Sequence, residues 1–203
     1  MLKKLLTCCT VACALVLGAL AHAQTAPDVL VRQISSEVID TAKADKAIQA
    51  GDVGRIVTLV DTKVMPHVNF EAMTRSAVGP QWRSATAEQR KRLQEEFKIL
   101  LVRVYAGALT QIKDQTVEVT KTLPVPGGSQ VVVQTEVRGK GDPIKLDYRL
   151  DKVAEDWKII DVNVGGIWLV TSYRSQFATE LNAGGIDGLI AKLAERNKAA
   201  ARS

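Results

Sequence analysis

The sequence predicts an α+β domain, a four-stranded antiparallel curved sheet roofed by several helices. Apolar residues recur at helical spacing up to about Asp114, the period then drops to two as far as Val164, and helical spacing returns from Leu169. Short turns separate the alternating stretches, and short turns join neighbouring strands antiparallel. The 203 residues are 46% hydrophobic and 24% charged, a balance that suits one globular domain and excludes a disordered or collagen-like chain.

The elements follow in order. Leu30, Ile34 and Val38 predict a helix from Pro27 to about Gln49, broken by Gly51-Asp52. Ile56, Val60 and Val64 predict a second helix from Val53 to Val64, stopped by Pro66. Asn69 is placed to cap a short helix carrying Phe70 and Met73, which ends at Gly79-Pro80. Thr86 and Gln89 have the spacing of a capping box and open the longest helix. Its apolar face is read as Leu93, Phe97, Leu100, Leu101, Val104, Tyr105, Ala108, Leu109 and Ile112, opposed by Arg90, Lys91, Glu95 and Lys98. Val117 and Val119 alternate in the first strand, and Pro124 to Gly128 forms a turn. Val131, Val133, Thr135 and Val137 follow, then a turn from Gly139 to Pro143. Ile144, Leu146, Tyr148 and Leu150 alternate with Lys145, Asp147, Arg149 and Asp151, and Ala154-Glu155-Asp156 turns into a strand from Trp157 to Val164. The tail predicts one helix from Leu169 to Asn182 and another after Gly184-Gly185.

The address is written in the first segment. Lys3 and Lys4 precede an apolar run from Leu5 to Leu20 that closes on Ala21-His22-Ala23, the pattern of a secretory signal cleaved after Ala23. A spanning helix needs roughly 20 apolar residues, and this run is shorter and contains Thr7, Thr10 and Gly18. Cys13 follows Ala12 too early in the run for a lipoprotein signal. Residues 1–23 are therefore read as a signal peptide and 24–203 as one domain. Losing Lys3 and Lys4 lowers the Lys+Arg count from 27 to 25 against 22 acidic residues, too mild a balance to indicate nucleic acid.

Export also removes chemistry. Cys8, Cys9 and Cys13 lie in the signal, so the remaining chain has no disulfide, thiolate nucleophile or cysteine-bound metal. His22 leaves with them, and His67 alone cannot build a histidine zinc site. No sequence neighbour equips His67 for acid–base work, so it reads as a loop histidine. There is no phosphate loop, and Gly139-Lys140-Gly141 sits in a hairpin rather than at a strand-to-helix turn, so no cofactor is expected. Glu118, Glu136, Asp147 and Asp151 alternate opposite the apolar face and read as solvated. On the last strand Trp157, Ile159 and Asp161 are expected on one side and Ile160, Val162 and Val164 on the other. Asp161 is expected to pair with Arg174 as a structural ion pair rather than to act as a base.

What remains in excess is aliphatic surface with only 4% aromatics. Phe97, Leu101, Tyr105, Val133, Leu146 and Tyr148 are among the residues that would either pack as a core or line an apolar cavity between sheet and long helix. Three stretches carry a resemblance: Val78-Gly79-Pro80-Gln81-Trp82 with Thr86, Gln89 and Arg90; Trp157-Lys158-Ile159-Ile160-Asp161-Val162 through Gly166 to Tyr173-Arg174-Ser175-Gln176-Phe177; and Gly184-Gly185-Ile186-Asp187-Gly188-Leu189-Ile190 with Leu193. In their order and spacing the chain resembles the MlaC family of periplasmic phospholipid-binding proteins, also called toluene-tolerance proteins, from about Pro27 to Asn197. Where similar proteins often have a small hydroxyl residue, this chain has Trp168.

The resemblance implies an NTF2-like sheet plus a helical subdomain with an apolar cavity between them. It implies that acyl chains lie among Phe97, Leu101, Tyr105, Val133, Leu146, Tyr148, Ile160, Val162, Trp168, Tyr173 and Phe177, with no catalytic residue and no metal. It further implies a periplasmic carrier that takes a phospholipid between an outer-membrane lipoprotein complex and an inner-membrane ABC transporter complex with its lipid-binding subunit. Two other readings stay open: a lipoprotein-acyl carrier or chaperone, and an enzyme on an apolar small molecule using Asp161 and Tyr148.

Overall fold

The structure, a computed structural model, describes residues 25–200, so the export signal and its cleavage site lie outside the described residues. Helix α1 (Pro27–Ala44) starts on proline, whose fixed φ suits the first turn, and buries Leu30, Val31, Ile34 and Ile39. The single helix expected to reach Gln49 is broken at Asp45. Its backbone is extended and its carboxylate accepts the Ala47 and Ile48 amides, restarting the chain as α2 (Lys46–Gln49). Aspartate competes with the helical backbone in this way, and a periodicity argument does not register it.

Asp52 caps α3 (Val53–Leu59), accepting the Arg55 amide at 3.0 Å, and the chain continues through one π turn at Val60–Val64 and a tight turn at Met65–His67. Asn69 caps α4 (Phe70–Val78) as expected, its Oδ1 accepting the Ala72 amide at 3.0 Å. Gly79, at φ 76°, ends that helix in a conformation an L side chain resists. Both halves of the capping box open α5 (Ala87–Thr110): the Gln89 amide donates to Thr86 Oγ1 at 3.2 Å and the Thr86 amide to Gln89 Oε1 at 2.9 Å.

The apolar face expected for α5 is correct in its first half and rotated in its second. Leu93, Phe97 and Leu100 are buried, but Val104 is 55% exposed and Ala108 is exposed, while Val102, absent from the expected face, is buried against Ile48, Ile56 and Leu59. The latter half of α5 rests on α2 and α3, so its buried stripe follows that neighbour rather than the sheet.

Five strands, not four, form one antiparallel sheet in chain order: β1 (Thr116–Pro124), β2 (Val131–Arg138), β3 (Ile144–Val153), β4 (Asp156–Val164) and β5 (Ile167–Trp168). The fifth exists because Gly165 and Gly166, at φ 58° and 95°, make a two-residue turn that returns Trp168 opposite Asn163. Two bulges bend the sheet. Thr120 is passed over between Val119 and Lys121, and Ile160 between Ile159, opposite Leu150, and Asp161, opposite Arg149. The second overturns the expected alternation: Ile159 joins Val162 and Val164 on the inner face, and Ile160 leaves it.

Helix α6 (Leu169–Ala199) closes the fold, interrupted at Gly185 (φ 62°, ψ −158°), where two helices were expected to meet. Helix α1 covers β1 and β2, α6 packs on β4 and β5, and α5 stacks on α6 and α4. One apolar cluster joins α4, α5 and α6 through Phe70, Phe97, Tyr173 and Phe177; another joins α1 to Val133, Leu150 and Ile159 of the sheet. Val68 and Val162 pack against both, so the seam between helices and sheet runs past them.

Candidate functional site

The inner face of the sheet is built by register. Val133, Tyr148 and Val162 stand side by side on β2, β3 and β4, and Thr135, Leu146 and Val164 form the next row. Facing them from the helices are Leu101, Tyr105, Tyr173 and Phe177, which pack together with Val162 and Val164. Of the expected lining residues, Phe97, Leu101, Tyr105, Tyr173 and Phe177 pack in the helical cluster, Val133 and Tyr148 in the cluster under α1, Val162 against both, and Leu146 in none of the clusters.

They divide into two kinds. Phe97, Val133 and Phe177 are no more than 1% exposed, and Phe97 holds Tyr173 and Phe177 edge-on with ring centres 4.9 and 5.1 Å away. These are packed core. Leu101, Tyr105, Leu146, Tyr148, Val162 and Val164 are only half-buried.

Two expected lining residues belong elsewhere. Ile160 sits at the β4 bulge and joins none of the apolar clusters. Trp168, opposite Asn163, lies on the outer face, where Arg149 Cζ is 4.4 Å from its ring centre. An indole under a guanidinium is a cation–π pair rather than a pocket wall.

Inside the compartment one polar contact stands out. Ser35, 8% exposed on α1, lies with its Oγ 3.5 Å from the Tyr148 hydroxyl. That is long for two hydroxyls, which prefer about 2.7–2.8 Å. Burial pushes the Tyr148 phenol above its ordinary value, and the Ser35 contact pulls slightly back. Nothing in the sequence marked Ser35, a serine within an apolar helical stripe.

Asp161, 3% exposed, does not pair with Arg174. Its Oδ1 accepts the Val162 amide at 2.9 Å and the Val170 amide at 3.0 Å, so it caps α6 from the neighbouring strand. The Arg174 guanidinium lies beside Gly79 instead. Burial raises the Asp161 pKa against the pull of those amides and of Arg149. Tyr148 faces inward and Asp161 outward across the same strand pair, so the two cannot act on one substrate atom. Glu118 and Glu136 stay near solvent, both paired at 2.8 Å with Arg138.

His67 occupies the turn before α4 and borders a cleft of about 210 Å³ with Leu30, Asp156, Trp157 and Lys158. A second cleft, about 390 Å³, shares Pro66 and Lys158 with the first and is lined further by Val68, Phe70, Glu71, Gln94 and Val153. Lys158 donates to the Pro66 carbonyl at 2.9 Å. Burial first, then Lys158, lowers the His67 pKa. Taking about 30 Å³ for a methylene-sized group, two chains of roughly 14 methylenes need on the order of 800 Å³. Neither cleft holds them. Among the described residues no three His, Cys, Asp or Glu side chains are grouped to hold a metal, and no helix is long and apolar enough to cross a membrane.

Residues 32–195 match the family model described as MlaC protein. The chain is 27% identical to the intermembrane phospholipid transport system binding protein MlaC of Haemophilus influenzae over 197 residues, 95% of this chain and 92% of that protein. It is 28% identical to toluene tolerance protein ttg2D of Pseudomonas putida, over 89% of this chain and 87% of that one. Its fold matches a phospholipid-binding protein from Ralstonia solanacearum, solved in complex with a phospholipid, with a TM-score of 0.83 and 36% identity over 87% of this chain and 99% of that chain.

Proposed function

Starting from the fact that the chain belongs to the MlaC family, we propose that it is a periplasmic phospholipid carrier, exported by its N-terminal signal, that holds the acyl chains between sheet and helices. The observation that carries this reading is the set of half-buried, inward-facing residues Leu101, Tyr105, Leu146, Tyr148 and Val162, in a fold that matches a phospholipid-bound relative. The name of the Haemophilus influenzae relative adds transport between membranes. We extend this to shuttling between an outer-membrane lipoprotein complex and an inner-membrane ABC transporter complex with its lipid-binding subunit.

Energetics constrain how such a carrier works. Burial is worth about 0.8 kcal/mol per methylene, so two chains released into water would lose on the order of 20 kcal/mol. Cargo therefore passes from one apolar environment directly into another. A bilayer and an apolar compartment offer nearly equal environments, so direction comes from partners rather than from the compartment. A headgroup left in water at the mouth contributes little selection. Catalysis through Asp161 and Tyr148 finds no support, since one caps a helix on the outer face and the other lies inside.

The test is to extract the purified protein with solvent and identify the extract by mass spectrometry. Diacyl phospholipid of mixed headgroup is expected. Extracts repeatedly empty of lipid, or holding a small polar metabolite, would sink the carrier reading, and lipoprotein-derived acyl groups would favour the chaperone.

A further inference from the structure

The inner face of the sheet holds a polar feature that acyl chains alone do not use. Tyr148 stands between Val133 on β2 and Val162 on β4, while Asp147 and Arg149 on either side of it turn outward. Its hydroxyl meets that of Ser35 on α1 at 3.5 Å, and among the described residues neither side chain has another hydrogen-bond partner. A hydroxyl inside a helix can instead donate to the carbonyl one turn back. Thr41 does so to Glu37 at 2.7 Å and Thr74 to Phe70 at 2.8 Å. Ser35, 8% exposed, reaches across to the sheet.

Two hydroxyls hold two protons and share one contact, so one O–H is left without an acceptor. A buried donor without an acceptor costs free energy, and the pair favours an occupant that brings one. That occupant is neutral. Burial pushes the Tyr148 phenol above its ordinary pKa, Ser35 is the other group that acts on it, and no charge does so among the described residues. A phosphate or carboxylate would find no cation there, and an unpaired anion in an apolar setting is expensive. In a diacyl phospholipid the chains carry no acceptor and the phosphate is charged, which leaves the ester carbonyls.

Resting on the carrier reading, we propose that Tyr148 recognises the ester linkage of the cargo: Ser35 donates to the Tyr148 oxygen, and the phenol donates its proton to an ester carbonyl of the bound lipid. The three groups form one chain of hydrogen bonds in which each bond polarises the next. An ether oxygen is a weaker acceptor than a carbonyl, so the chain selects acyl esters over ether-linked chains without reading the headgroup.

The test loads protein stripped of its own lipid from vesicles holding equal amounts of dipalmitoyl phosphatidylglycerol and its dihexadecyl ether, and reads the bound ratio by mass spectrometry. Tyr148→Phe should lower the ratio of ester to ether about three- to tenfold relative to wild type, the effect of one neutral hydrogen bond. Ser35→Ala removes only the first link and should lower it by less. Infrared spectra should show a low-wavenumber component of the ester carbonyl band in loaded wild type that Tyr148→Phe lacks. An unchanged ratio in Tyr148→Phe overturns the proposal and leaves the carrier reading intact. Wild-type protein that takes up neither lipid overturns both. If Tyr148→Phe does not melt cooperatively, the wild-type spectrum decides, and an ester band without the low-wavenumber component overturns the proposal.

Discussion

The Asp161 carboxylate on β4 accepts the Val170 amide at 3.0 Å, so the strand that carries the sheet's second bulge also fixes the start of the last helix. Its second hydrogen bond, from the Val162 amide at 2.9 Å, holds the residue that packs against both the helical and the sheet cluster.

Asp161→Ala orphans both amides in a buried setting and should cost about 1–3 kcal/mol by denaturant unfolding. Asp161→Asn keeps an acceptor without charge and should cost less. Burial raises the folded pKa above the ordinary 3.8. The stabilisation from this group is then complete below that ordinary value and is lost as pH rises through the folded pKa. The melting temperature of Asp161→Asn relative to wild type should accordingly improve from about pH 4 to pH 7. A difference that is flat or moves the other way would show that the amides, not burial, dominate.

Packed and accessible lining residues should respond differently. Phe97→Ala removes the ring between Tyr173 and Phe177 and should cost about 3–5 kcal/mol, lowering lipid content only in step with folding. Leu101→Glu and Leu146→Arg place charge where accessible space exists. They should lose bound phosphorus per mole of protein while largely keeping the circular-dichroism melt, because water can enter once the chains are excluded. Collapse of both would make Leu101 and Leu146 ordinary core.

At the α6 kink, Gly184 and Gly185 form an internal control. A Cβ at either position meets nothing within 4 Å, so crowding does not separate them. Gly185, at φ 62° and ψ −158°, occupies a region open almost only to glycine, and Gly185→Ala should cost about 1–3 kcal/mol. Gly184 is helical, and Gly184→Ala should be neutral or stabilising by up to about 1 kcal/mol. Equal melting temperatures for the two variants would contradict the kink.

His67→Gln should leave lipid content and transfer essentially unchanged. Burial and Lys158 depress the His67 pKa below 6.5, so its contribution to stability is present above 6.5 and is lost as pH falls through the folded value. The variant should lack that component of acid destabilisation, measurable as a smaller drop in melting temperature below about pH 6.5. A large fall in transfer by a variant that still melts cooperatively would reopen a chemical role for this residue.

The parts of the molecule legible in the sequence are those whose causes are local. Asn69 and the Thr86–Gln89 box make hydrogen bonds with amides three residues away, and the alternation of Leu146, Tyr148 and Leu150 follows from the pleat alone, so spacing suffices to read them. The grouping of Val133, Tyr148 and Val162 on one sheet face follows too, because residues on one face of a strand stay together wherever that element packs. Tertiary structure decided the rest. The bulge at Ile160 arises from pairing with β3 and moves Ile160 away from Val162; the buried stripe of the latter part of α5 is set by α2 and α3; Asp161 is capped to α6 rather than paired with Arg174; and Trp168 lies under Arg149 rather than in the compartment. Each depends on which distant backbone or side chain arrives within about 3–5 Å, and contacts of that range are set by the assembled fold rather than by spacing along the chain.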